Sequence, residues 1–195
     1  MATYDPTSLD RALGVIGRMQ RRDFLAFTGA AAATLGAGAA AAGSTIAVPQ
    51  LKSINEAETR IFLRVAEVVL PVEGTPLTPW KPAELLGTLD GALLGTMEPH
   101  ILAGLKGGLA YFNDGPKAQH GKTFIELDDA TAAAFLDAWG NSDQPPHRGL
   151  SMGLKKLVQL SYWANPASWA PTGYDGPISK KNGLVSLGNA PLPTR

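Results

Sequence analysis

Cysteine is absent from this chain. Disulfides, thiolate metal sites, iron–sulfur clusters and covalently attached haem c are therefore excluded. A chain without thiols is compatible with reducing and oxidising compartments alike, so the absence does not choose between them. Charge is scarce as well: 17% of residues are Asp, Glu, Lys or Arg, against roughly 25% in an average globular protein. Lys and Arg number 17, as do Asp and Glu, for a formal net charge of zero. No basic stripe is present, so nucleic-acid binding lacks its electrostatic footprint. So little charge leaves the chain poorly defended against association when alone, which hints at a protein partner. Common catalytic signatures are missing too. No serine sits in a Gly-x-Ser-x-Gly elbow, and there is no dinucleotide fingerprint or Walker loop. Gly104-x-x-Gly107-Gly108 lies within a helical pattern rather than after a strand, so it is not a phosphate loop.

What is present begins with a sharp change in charge. Residues 1–23 are mixed and polar, with positive charge from Arg11, Arg18, Arg21 and Arg22. From Phe24 to Leu51 there is no charged residue, and the stretch is rich in Ala and Gly. A positive region, a mildly apolar region and small residues at its end make the pattern of an export signal. Ala40-Ala41-Ala42 or Ala37-Gly38-Ala39 offers small residues for cleavage; an uncleaved signal would serve as a membrane tether. The competing readings are a transmembrane anchor and a buried alanine-rich helix. Gly29, Gly36, Gly38 and Gly43 weaken a helix, and large apolar side chains are few, which disfavours insertion.

The rest of the chain repeats the helical period. Asn55 and Glu58 have capping-box spacing ahead of a helix running to about Leu70, with Ile61, Phe62, Val65, Val68 and Val69 on one face. Pro82 is placed to open a second helix with Leu85, Leu86, Leu89, Leu93 and Leu94 inward. Pro99 opens a third, to about Asn113, whose glycines permit a close neighbour. Asp114 to Lys122 reads as a loop and Thr123 to Leu127 as an extended segment. Asp128 or Asp129 then caps a fourth helix with Ala134, Phe135, Ala138 and Trp139 buried. A fifth spans about Arg148 to Ala164 with Leu150, Leu154, Leu157, Val158 and Tyr162 inward. No segment alternates apolar and polar residues for long. The expected fold is all-α: a small irregular bundle of about five helices after an N-terminal signal segment, with an irregular C-terminal tail. Residues 1–50 are read as export signal and linker, and 51–195 as the helical domain.

His100, His120 and His147 sit in or beside loops and helix ends with no metal-ligand spacing, so they read as surface histidines. Glu56, Glu58 and Glu67 share a helix, where a solvated face and a capping role explain them. Aromatic residues are concentrated near the end, where Tyr162, Trp163, Trp169 and Tyr174 are interleaved with Pro and Gly up to Pro177. Trp and Tyr bury much area with little rotamer freedom, which suits a partner surface; they also suit closure of the bundle core. Trp163, Trp169, Tyr174 and Pro177 are the candidate contacts.

Two resemblances give these features a function. Arg21-Arg22-Asp23-Phe24-Leu25 resembles the twin-arginine export motif, with Gln20 in place of the usual Ser or Thr and Ala26 in place of a common Lys. That resemblance implies export of folded cargo by the twin-arginine (Tat) translocase through Arg21, Arg22, Phe24 and Leu25. The segment Tyr162-Trp163, Asn165-Pro166, Trp169 and Gly173-Tyr174-Asp175-Gly176-Pro177 resembles the family typified by gluconate 2-dehydrogenase subunit 3. A weaker match is the helix end Ala66-Glu67-Val68-Val69-Leu70-Pro71, and residues 72–150 match only in helical character. The resemblance implies a non-catalytic small subunit, with no catalytic, cofactor or metal residues of its own. Its partner would be a large flavoprotein dehydrogenase that binds FAD and oxidises a sugar, polyol or alcohol, in some complexes beside a multihaem cytochrome c. The small subunit would act as export escort and stabiliser, in the periplasm or on the periplasmic face of the inner membrane. The alternatives are an independent periplasmic enzyme of unrecognised type and a membrane-tethered structural protein with an uncleaved signal.

Overall fold

Helix formation begins earlier than the polar N-terminal composition suggests. The computed structural model describes residues 5–18 and 50–183, and the first helix, α1 (Pro6–Arg18), precedes the uncharged stretch. Asp5 caps it, accepting the backbone N–H groups of Thr7 and Ser8 at 3.1 and 3.2 Å. Leu9, Ala12 and Ile16 recur at helical spacing and are buried, while Arg11 and Arg18 face solvent. The boundary drawn after residue 50 therefore separates α1 from the helices on which it packs. Arg21, Arg22, Phe24 and Leu25 lie outside the described residues.

The next helix, α2 (Glu56–Val69), opens on the expected capping box. The Glu58 N–H donates to the Asn55 side chain at 3.0 Å and the Asn55 N–H to the Glu58 carboxylate at 2.9 Å. Pro82 begins α3 (Pro82–Thr88), as expected of a residue with no N–H to lose. It runs directly into a π-helical turn, Leu89–Leu94, in which only Gly91 is exposed. The wider turn brings Asp90 inward, where its carboxylate accepts the N–H groups of Lys52 and Ser53 at 2.9 and 2.7 Å. This pins the approach to α2 against the π turn.

The chain continues through α4 (Pro99–Asp114), a single-turn α5 (Lys117–His120), a 3₁₀ turn (Phe124–Glu126) and α6 (Asp129–Gly140). The long α7 (Pro145–Trp163) follows, then 3₁₀ turns at Pro166–Ser168 and Ala170–Thr172, and a final single turn, α8 (Ile178–Lys181). The fold is all-α, and among the described residues there is no strand. More helices form than the five expected. The loop expected over Asp114–Lys122 contains α5, and the extended segment expected at Thr123–Leu127 is the 3₁₀ turn. The second difference has a local cause. Thr123 and Glu126 form a capping box, with the Thr123 N–H 2.7 Å from the Glu126 carboxylate, and this curls the backbone. Asp128, not Asp129, caps α6. Phe135 and Trp139 are buried on α6 as expected, but Ala134 and Ala138 are exposed and Ala132 and Leu136 take their places. The tail expected to be irregular after Pro177 begins with α8. No helix among the described residues is long and apolar enough to cross a membrane.

Helix α7 is the axis, packing against α1, α2 and α6, with Leu150, Leu154, Leu157 and Val158 fully buried. At one end, Phe112 packs edge-on to Trp139 at 5.4 Å and tilted against Phe124 at 4.6 Å. The most extensive pairing in the fold is that of α1 with α4. A β-carbon on Gly104 would lie 2.3 Å from the Ser8 carbonyl oxygen, and one on Gly149 would lie 2.3 Å from Leu13 Cδ1. These glycines are what let α1 lie against α4 and α7 together.

This contact decides the sign of a substitution. In a helix interior Gly→Ala is ordinarily favourable by about 1 kcal/mol. Gly87→Ala on α3, where a β-carbon meets nothing within 4 Å, is expected to follow that rule and raise the melting temperature. Gly104→Ala is expected to do the opposite, lowering stability by roughly 1–3 kcal/mol as α1 is displaced. Thermal melts of the two variants beside the parent check the difference in sign.

Candidate partner-binding site

The C-terminal aromatic stretch folds into a hook at the end of α7. Tyr162 closes the core: it is buried, and its hydroxyl donates to the Thr78 carbonyl at 2.9 Å. Burial holds its phenol above the ordinary value. Asn165 turns the chain, accepting the Ala167 N–H at 3.0 Å, while its amide donates to the Glu84 carboxylate on α3 at 2.5 Å. The Thr78 hydroxyl donates to the Ala167 carbonyl at 2.8 Å, so the hook is tied from both sides to the loop before α3.

Trp169 then folds back. Its indole N–H donates to the Trp163 carbonyl at 2.8 Å, and its ring meets Tyr174 edge-on at a centroid distance of 5.2 Å. Two glycines make the return possible. Gly173 has φ 73° and Gly176 has φ 105°, both in the region L side chains rarely adopt, and Gly176 lies in contact with the Trp169 ring. Lys181 pairs with Asp175 across the last turn.

The four candidate contacts thus divide. Trp169 and Pro177 are half-buried and shape the hook. Trp163 is 38% exposed and Tyr174 44% exposed, well above the usual burial of such rings. Ile178, which the sequence reading did not single out, is 71% exposed beside them in sequence. Met152, 66% exposed, lies three turns before Trp163 on α7 and shares its face. Among the described residues these four are the exposed large hydrophobics, and all lie on α7 or the hook. A rigid backbone presenting aromatic and aliphatic side chains to solvent is what a partner surface requires.

The histidines give a second feature. His100 is exposed on α4 beside Glu98. His120 and His147 both line a cavity of about 1000 Å³ between the end of α4, α5, α6 and the start of α7. His147 is not the surface histidine expected. Its ring stacks on Trp139 at 4.0 Å, Nε2 lies 2.9 Å from the Tyr111 hydroxyl, and Nδ1 lies 3.1 Å from the Ser142 hydroxyl. In either neutral tautomer one nitrogen donates and the other accepts, so both are occupied. Ser142 also accepts the Gln144 N–H at 3.1 Å, and its carbonyl accepts from Arg148 at 2.5 Å, which organises the start of α7. The cluster reads as a clamp on the α6–α7 turn. No local sequence signal could have found it, because Tyr111, Trp139 and His147 meet only through tertiary packing. Among the described residues no group of three or more His, Asp or Glu side chains is placed to hold a metal ion.

Comparison of the chain with protein-family models, with curated proteins and with solved structures returns no match.

Burial holds the His147 imidazole below its ordinary value of 6.5. The unfolded chain therefore takes up this proton first as pH falls, so the clamp's contribution is complete above about pH 6.5 and is lost as pH drops through the lower folded value. The melting temperature is expected to decline on acidification from about pH 7.5 to 5, and His147→Gln is expected to flatten that decline. A series of melts across this range on parent and variant tests the assignment; parallel curves would reject it.

Proposed function

We propose that this chain is a non-catalytic small subunit that carries a flavin-dependent dehydrogenase across the membrane by the twin-arginine route and stabilises it afterwards. The observation that carries the reading is the hook: Trp163, Tyr174 and Ile178 stand exposed on a backbone fixed by hydrogen bonds at Tyr162, Asn165 and Trp169. Aromatic side chains held rigid before binding lose little freedom on association, so their burial converts efficiently into affinity. The residues that resemble the gluconate 2-dehydrogenase subunit 3 motif are the ones that build this hook. The partner would be a large FAD-binding subunit acting on a sugar, polyol or alcohol, with a multihaem cytochrome c as a further member. The complex would reside in the periplasm or on the periplasmic face of the inner membrane.

An independent enzyme is the competing reading, and one observation favours it: His120 and His147 share a cavity. The chemistry within it weighs the other way. Both nitrogens of His147 are engaged by hydroxyls, and the neighbouring Asp114 carboxylate is paired with Lys117 at 2.6 Å. His147 and Asp114 are thus held in structural contacts rather than poised for proton transfer.

Isolation of the complex from its native host decides between these readings. The chain is expected to co-purify with a flavoprotein whose visible spectrum shows bound flavin. Trp163→Ala with Tyr174→Ala is expected to weaken that association by about 2 kcal/mol or more, the scale of interface hot spots. Replacing Arg21 and Arg22 with lysine should leave both subunits in the cytoplasm. A monodisperse chain that retains no flavoprotein would overturn the proposal, and continued export of the large subunit from the lysine variant would overturn the escort role.

A further inference from the structure

Helix α1 poses a problem for the ordinary fate of an export signal. It lies before Arg21-Arg22 in the sequence, yet it is part of the core: Leu9, Ala12 and Ile16 are buried against α4 and α7. Its seat is shaped for it. Gly104 admits the Ser8 backbone, Gly108 lies beneath Leu9, and Gly149 and Gly153 receive Leu13. Lys156 on α7 donates to the Gly17 carbonyl at 2.9 Å, closing the last turn of α1. Cleavage after Ala42, or after Ala39, would cut this core helix from the helices on which it packs. Leaving, α1 would uncover the fully buried Leu150 side chain, which meets Leu9 over Gly108, along a groove floored by glycine.

We propose that α1 is a permanent element of the exported protein, so that the twin-arginine segment is an internal connection between two parts of one folded body rather than a removable leader. The inference rests on the export reading of Arg21-Arg22 for its biological consequence and on the packing of α1 for its physical content. Two consequences follow. Arg21 is three residues beyond the end of α1, and three residues span at most about 11 Å. On the export reading, the address is thus joined directly to a helix of the core, and a chain that keeps α1 keeps its address. An uncleaved uncharged stretch from Phe24 to Pro49 also remains attached at both ends, available as a tether to the membrane.

Two measurements on the full-length chain test this. The first is the intact mass of the exported protein, expected to include residues 6–18; a mature chain starting near Gly43, with no N-terminal fragment accompanying it, would overturn the proposal. The second places a specific protease site between Gly43 and Ser44, cuts the purified protein, and follows the fragment by gel filtration and thermal melting. The fragment is expected to stay bound, or, if it leaves, to take with it about 10 °C or more of melting temperature. A fragment that leaves while the remainder melts unchanged would show α1 to be dispensable and would overturn the inference. Failure of the export reading itself is recognised separately, by unchanged export of the Arg21→Lys, Arg22→Lys variant, and does not affect the protease result.

Discussion

The approach of the Ser8 carbonyl to Gly104 is the contact on which the arrangement around α7 depends. Helix α4 is a weak helix by composition, since Gly104, Gly107 and Gly108 each cost about 1 kcal/mol relative to alanine in a helix interior. That weakness is offset only if a neighbour fills the space the missing side chains leave. Helix α1 does so with the Ser8 backbone over Gly104 and Leu9 over Gly108, and burial of a side chain such as Leu contributes roughly 1.5–3 kcal/mol. Neither helix has a good reason to form without the other. A hydrophobic stripe on a thirteen-residue segment is too short to hold a helix alone in water, and a glycine-rich helix with an empty groove would expose its apolar side chains.

The same logic of a filled seat governs the opposite end of α7. Trp169 donates its indole N–H to the Trp163 carbonyl and sets its ring beside Gly176, completing the set of bonds at Tyr162, Asn165 and Thr78 that fixes the hook. Its consequence is the reverse of the first. Where α1 is buried by its glycines, the hook turns Trp163 and Tyr174 outward. The core is closed instead by Tyr162, one residue earlier, whose hydroxyl is satisfied by Thr78. Adjacent aromatics on α7 therefore divide the two roles that the sequence left open, core closure and surface display.

Local signals were legible and tertiary ones were not. The capping box at Asn55 and Glu58, the helix starts at Pro82 and Pro99, and the inward face of α7 could be read because each is specified within a few residues. The box at Thr123 and Glu126 has the same spacing, yet the apolar pair Phe124-Ile125 suggested an extended segment; the cap decides because it satisfies backbone donors directly. Helix α1 was hidden by its own charge. Arg11 and Arg18 make the stretch read as polar, while the spacing of Leu9, Ala12 and Ile16 carries the information. Ala134 and Ala138 face outward on α6 because alanine weighs little in fixing a helix face, and Phe135, Leu136 and Trp139 set the orientation without them. His147 could not be foreseen at all, since its partners arrive from α4, α6 and the turn between α6 and α7.

The two ends of α7 are joined by more than sequence. Lys156, which holds the end of α1, and Trp163, which stands at the base of the hook, are seven residues apart on one helix and lie near the same face. At 1.5 Å per residue that separation is about 10 Å along the axis. Met152 extends the exposed stripe in the other direction, past the point where α1 ends. A partner seated on Met152 and Trp163 would therefore cover the side of α7 next to which α1 terminates, three residues before the arginine pair. On the proposed reading, cargo and address are coupled through a single rigid helix.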